Sequence, residues 1–70
     1  MQDIQKKLGR KIAELRREKG FTQEGFAHEC RFHRSYMGAV ERGEMNITIQ
    51  GLVRITKSLK ISLAELFKGI

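Results

Sequence analysis

Apolar residues recur every three or four positions at the start of the chain: Ile4, Leu8, Ile12 and Leu15, with Lys6, Lys7, Arg10, Lys11, Glu14, Arg17 and Glu18 between them. That period is the α-helix's own, and it lays one apolar stripe along an otherwise charged cylinder. Such a helix must bury its stripe against other elements, and the rest of the chain has the same character. Gly20 predicts the end of a first helix over Ile4 to Lys19. Thr22 is placed to cap a short second helix, "QEGFAHEC", with Phe26 and Ala27 inward, and "RFH" is a tight break after it. A third helix runs from about Arg34 to Arg42, followed by the turn-prone loop "GEMN". Thr48 caps a fourth, with Leu52, Ile55 and Leu59 inward. Ser62 caps a fifth, "LAELF", with Leu66 and Phe67 as core candidates. The chain has no proline and no alternating strand pattern, so an all-α chain of short helices is expected, without linker, repeat or low-complexity segment.

Size and charge bound the function. Seventy residues make one small domain, 1–70, close to the length at which a hydrophobic core only just suffices. Fourteen Lys and Arg against eight Asp and Glu leave a net charge of +6, which favours a polyanionic partner, nucleic acid ahead of an anionic membrane surface. No apolar run is long enough for a membrane span or a secretion signal, so a cytoplasmic protein is expected. The single cysteine, Cys30, makes no internal disulfide, in agreement with a reducing compartment, and reads as a small half-buried apolar residue.

The third helix has two faces with different demands. Met37, Val40 and Glu41 share the side that anchors it, while Arg34, Ser35, Gly38, Ala39 and Arg42 share the other. The outer face carries a guanidinium and a hydroxyl at its leading end and almost no side chain behind them. Glu41 points inward, where an unpaired carboxylate is costly, so it needs a cation. Arg16, one turn after Ile12, stands at the edge of the first helix's inward face.

"TQEGFAHECRFHRSYMGAVERG" resembles the helix-turn-helix of the Xre, or lambdoid Cro and repressor, family, whose usual run is close to "TQEELAxxxGVSRSYISxIERG". The similarity continues through "NITIQGLVRITKSLKISLAELF", and the wording "RSYMGAVERGEMNITI" is most similar to the controller proteins of restriction and modification systems. The resemblance implies an all-α, five-helix, lambda-repressor-like DNA-binding domain whose motif occupies about residues 23–42. Its implied function is sequence-specific transcriptional regulation, with a palindromic operator in double-stranded DNA as the target and restriction and modification genes, its own included, as the regulated set. RNA polymerase is a further partner of that reading. An Xre-type antitoxin or phage repressor that also covers a protein partner is the alternative.

A helix in the major groove reads base edges from its N-terminal end, so the outer face acquires a purpose. Arg34 is the expected reader of guanine, Ser35 serves a base or a phosphate, and the Ala39 methyl can touch a thymine methyl. Gly38 and Ala39 supply clearance. Tyr36 reads equally as a DNA contact implied by the resemblance or as a ring covering the core. Phosphate contacts are expected from Gln23 at the start of the second helix, from Arg42 and Asn46 beyond the third, and from His33, which also suits a cap. The resemblance pairs Arg16 with Glu41 as a structural ion pair. Two departures from the family pattern erode stability: Arg31 stands where the family's turn has a glycine, and Gly25 where it prefers a strong helix former.

A homodimer is expected, because one short reading helix covers only a half-site. With the chain ending at Ile70, the pairing surface has to come from the last two helices, which hold more apolar residues than one core stripe uses. Ile49, Val53, Leu63 and Phe67 are the candidates. No metal or other cofactor is called for: His28, Cys30 and His33 lack a fourth ligand and a zinc-finger spacing. No enzyme is expected either, since no nucleophile has an adjacent base and the one Asp, Asp3, stands alone.

Overall fold

The computed structural model describes residues 2–70, with side chains from Ile4 onward; Asp3's side chain lies outside the described residues. Five helices follow one another: α1 Gln2–Glu18, α2 Gln23–Glu29, α3 Arg34–Glu41, α4 Ile49–Leu59 and α5 Leu63–Phe67. No strand occurs among the described residues, in agreement with the all-α, five-helix expectation.

Capping side chains mark where α2, α4 and α5 begin. Thr22 Oγ1 accepts from the Gly25 N–H at 3.0 Å and Thr48 Oγ1 from the Gly51 N–H at 3.0 Å. Ser62 and Glu65 exchange bonds in a capping box. Gly25 is therefore a first-turn residue, whereas the family pattern treats its position as a helix interior. A Cβ there would stand 3.0 Å from the Thr22 oxygen, a position that Glu65 fills in the Ser62 cap.

Four of the helices stop in the same way. After α1 the Gly20 N–H reaches the Arg17 carbonyl and the Phe21 N–H reaches the Arg16 carbonyl, at 2.9 and 3.0 Å. This paired bonding needs a left-handed residue, and Gly20 adopts φ 85°. The same pairs close α2 at Arg31, α3 at Gly43 and α4 at Lys60. Arg31 and Lys60, at φ 61° and 59°, take up the strain that a glycine avoids, about 1 kcal/mol each. The residue after the left-handed one is apolar in three of these endings, and Phe21, Phe32 and Ile61 each pack on the core. That packing holds the chain in the turn.

The core gathers Ile12 of α1, Phe26 of α2, Met37 of α3, Ile55 and Leu59 of α4 and Leu66 of α5, all with essentially no exposed surface. Ala27 and Cys30 are buried beside them. Two expected core residues lie elsewhere. Ile4 is 49% exposed because the first turn of the α1 stripe overshoots the bundle, and Phe67 is 38% exposed because Leu66 alone of the pair faces inward.

Close approach of α1 to α3 is made possible by Gly9. A Cβ on Gly9 would run into the Val40 carbonyl and stand 2.7 Å from the Glu41 carbonyl oxygen. The two helices therefore meet backbone to side face, and the charged flank of α1 lies alongside α3.

Candidate nucleic-acid interface

The leading end of α3 is organised by His33. Its Nδ1 accepts from the Ser35 N–H at 3.2 Å, and the Ser35 hydroxyl lies 2.8 Å from the same nitrogen. With Nδ1 accepting from the Ser35 N–H, a neutral ring carries its proton on Nε2. His33 thus serves as the cap of α3, one of the two roles its sequence position suits. Arg34, the first residue of α3, and Ser35 are both exposed.

Behind them the helix is held down by a buried ionic knot. Glu41 Oε2 accepts from Arg16 Nε at 2.7 Å, and its Oε1 accepts from Arg16 Nη2 at 3.2 Å and Gln23 Nε2 at 3.0 Å. Arg16 Nη1 donates to the Phe21 carbonyl at 2.9 Å, so the guanidinium ties the end of α1 to α3. Both side chains are more than nine-tenths buried, at 9% and 7% exposure. A carboxylate only accepts, which fixes the Gln23 amide with its NH2 toward Glu41 and its Oε1 outward. One amide hydrogen of Gln23 is used in the knot.

Gln23, His33, Arg34, Ser35 and Arg42 line a single open depression whose floor is Gly38. From sequence Gly38 is expected to give clearance for a groove, and the structure shows a nearer use. A Cβ there would stand 3.1 Å from Arg42 Nη1 and 3.5 Å from Gln23 Oε1. The Arg42 guanidinium thus lies close over the bare Gly38 backbone, with the Gln23 amide oxygen at ordinary contact distance.

Arg42 is also engaged: its Nε and Nη2 donate to the two Glu44 oxygens, each at 3.1 Å. This forked bond in solvent holds the Glu44 carboxyl below its ordinary range and raises the Arg42 guanidinium further. Glu44 is not among the candidates that the sequence offers, since a residue two places beyond a helix end gives no periodic signal.

Three expected contact residues stand apart from the depression. Ala39 is half-buried and does not line it. Tyr36 packs its ring on Phe32, centroids 4.9 Å apart, and Phe32 lies under the Arg54 guanidinium at 4.5 Å. Arg54 Nη2 also donates to the Arg31 carbonyl at 2.8 Å, bracing the strained turn between α2 and α3. Asn46 is exposed in the loop after α3, where it borders an apolar depression lined by Ile4, Met45 and Phe67.

In the sequence the basic residues of α1 read only as a solvated face, and the structure puts some of them against this site. Lys6, Arg10 and Arg17 line a second depression that shares Gln23, Gly38 and Arg42 with the first. Their spacing of four and seven places them on one side of α1, a legible signal whose neighbour was not.

A profile described as helix-turn-helix matches residues 12–66, more than half of the chain. This chain belongs to the helix-turn-helix family. One helix-turn-helix relative, Control protein C.MunI of Mycoplasma sp, is 38% identical over 71 residues that cover 100% of this chain and 96% of that protein. Control protein C.BamHI of Bacillus amyloliquefaciens is 33% identical over 60 residues, covering 84% and 74%. Among solved structures, the restriction-modification controller protein C.AhdI from Aeromonas hydrophila matches with a TM-score of 0.90 and 36% identity, over 94% of this chain and 96% of that one. The helix-turn-helix fold and the likeness to controller proteins expected from sequence are therefore both found.

Several apolar side chains of this helix-turn-helix domain remain at its surface. Ile49 is 74% exposed, Leu63 and Phe67 are 39% and 38% exposed, and Val53 is half-buried. Met45 and Ile4, neither expected there, add to the exposed apolar surface near Phe67. Burial raises the Cys30 thiol above its usual range, which makes it a packing residue and a poor nucleophile.

Proposed function

We propose that this helix-turn-helix protein is a controller-type transcriptional regulator that binds a palindromic DNA operator as a homodimer and regulates restriction and modification genes together with its own. The observation that carries the reading is the gathering of Arg34, Ser35, His33, Gln23 and Arg42 around one open depression at the leading end of α3. Arg34 supplies a planar fork that matches O6 and N7 of guanine, and Ser35 a hydroxyl for a base edge or phosphate. Gln23, His33 and Arg42 flank it as phosphate contacts, and Asn46 extends the backbone contacts beyond α3. Tyr36 and Ala39 act as edge contacts when α3 enters the groove.

Size supports the dimer. The domain measures 27 Å along its longest axis, less than the roughly 34 Å rise of one DNA turn, so one chain presents one reading helix to one half-site. Ile49, Val53, Leu63 and Phe67 form the isologous surface, which sets half-sites about 10 bp apart or a near multiple. No helix among the described residues is long and apolar enough to cross a membrane. A cytoplasmic site of action and RNA polymerase as the machinery regulated complete the reading.

A DNase footprint on the region upstream of the protein's own gene is the direct test. Protection of two symmetric half-sites is the expected result, and uniform protection at all sequences would overturn it. An endonuclease and methyltransferase gene pair beside this gene separates the controller reading from the antitoxin one, for which a toxin gene would be the neighbour.

A further inference from the structure

The cations of α1 divide by what holds them. Lys11 Nζ donates to the Lys68 carbonyl at 2.6 Å, at the end of α5, and Arg16 is locked to Glu41 and Phe21. Lys6, Arg10 and Arg17 are different: they are exposed, and among the described residues no carboxylate or carbonyl accepts from them. Helical spacing aligns the three over about 16 Å, at 1.5 Å per residue. They share one depression with Gln23, Gly38 and Arg42.

Two features make that depression suitable for an anion. Glu41 lies in its wall, yet both of its oxygens already accept hydrogen bonds from Arg16 and Gln23, so the one carboxylate present is neutralised. Gly9 and Gly43 let α1 come close: a Cβ on Gly43 would stand 2.7 Å from the Lys6 Cα. The basic flank of α1 is thereby fixed beside α3, continuous with the reading depression and not merely near it.

We infer that Lys6, Arg10 and Arg17 form a second backbone-binding track, which holds the phosphates of the same DNA strand segment that runs past Gln23 and Arg42. The inference rests on the DNA-binding reading above and adds to it a surface outside the helix-turn-helix motif. Phosphate contacts of this kind carry no sequence information; they add affinity and salt dependence equally on all DNA. The occupant is duplex DNA because the three charges follow a line, as a backbone does, and the line continues a site already shaped for a groove.

The test is the slope of log affinity against log salt concentration, measured with the native upstream fragment and with a random duplex of equal length. In a dimer, Arg10→Gln removes two contacts, so the slope should become shallower by about 1.8, at 0.9 per phosphate. Between roughly 50 and 200 mM salt the loss of affinity should then shrink by about tenfold relative to the unchanged protein. Arg17→Gln should act alike on both DNAs, and Arg10→Lys, which keeps the charge, should leave the slope nearly intact. Preference for the operator over random DNA should stay as it was.

A folded Arg10→Gln, Arg17→Gln protein with an unchanged slope overturns the inference, and so does a loss confined to the operator. If these variants instead melt earlier while their slope is retained, the cations serve the C-terminal end of α3 and the track is refuted. Arg34→Ala separates this from failure of the parent reading. Where Arg34→Ala relaxes operator preference and the α1 variants leave the slope unmoved, only the track falls; where the unchanged protein shows no operator preference, the parent reading falls.

Discussion

Arg34 is exposed at the first position of α3, where its guanidinium is free to enter a groove. Arg34→Ala should weaken operator binding by about 1 to 3 kcal/mol and relax preference at one base pair per half-site, read by titration against a set of singly changed operators. Gln23→Ala should lower binding to every sequence alike and also loosen Glu41, to which it donates at 3.0 Å. The Arg16 and Glu41 pair is buried and fully bonded, so removing one partner leaves a charge without compensation. Arg16→Met or Glu41→Gln alone should destabilise the domain by about 3 kcal/mol, and the double variant should recover part of that. Strictly additive shifts in chemical denaturation would show the two residues to be independent. Glu44 has the opposite relation to function, since it occupies the Arg42 fork that a phosphate would use. Its carboxyl is held below the ordinary value, so the pair's contribution is complete above that value and is lost as the pH falls through the lowered one. Glu44→Gln at neutral pH should tighten binding to operator and random DNA together, measured at low salt.

At the scale of elements, the turn between α2 and α3 is where this sequence departs from its family pattern, and the turns are where stability can be regained. Arg31 holds φ 61° in the turn between α2 and α3, and Lys60 holds φ 59° after α4. Arg31→Gly should relieve about 1 kcal/mol of backbone strain, observable as a higher denaturation midpoint. The native turn tolerates Arg31 because Arg54 braces it from α4, donating to the Arg31 carbonyl and covering Phe32, the residue that pins the turn to the core. Arg54→Met should therefore lower stability by about 1 kcal/mol, and less in the presence of Arg31→Gly. Contact between α1 and α3 is the less forgiving junction. Gly9→Ala sets a methyl against the Val40 and Glu41 carbonyls, backbone atoms with no freedom to yield, and should destabilise by about 2 to 3 kcal/mol.

For the whole molecule, two surfaces with opposite demands explain the composition. Lys6, Arg10 and Arg17 of α1 and Arg42 beyond α3 line one depression, while Ile49, Leu63, Phe67, Met45 and Ile4 leave apolar area exposed. Unburied aliphatic and aromatic surface of this kind on a small domain suits the pairing surface of the proposed dimer. Sedimentation at micromolar concentration should give a dimer. Val53→Glu should give a folded monomer with weakened operator binding, because Val53 is only half-buried and its loss does not open the core. A protein that is monomeric without substitution, and that binds an isolated half-site as tightly as the palindrome, would rule out the paired arrangement.

Helix number, caps and the inner face of each helix were legible in the sequence, because they depend on neighbours three or four residues away. Thr22, Thr48 and Ser62 announce their helices locally, and Met37 and Val40 declare the inner face of α3 by period alone. The exposed outer position of Arg34 and Ser35 was legible for the same reason, and the partnership of Arg16 with Glu41 through the resemblance. Only the tertiary structure decided the rest. Ile4 and Phe67 obey the apolar pattern yet lie outside the core, since a period gives direction around a helix and not how far along it the bundle extends. That Gln23 of α2 bonds Glu41 and shares a depression with Gly38, fifteen residues later in the chain, follows only from how the two helices cross. The same holds for Lys6, Arg10 and Arg17: their common side is written in their spacing, but which element that side meets depends on how Gly9 lets α1 lie against α3.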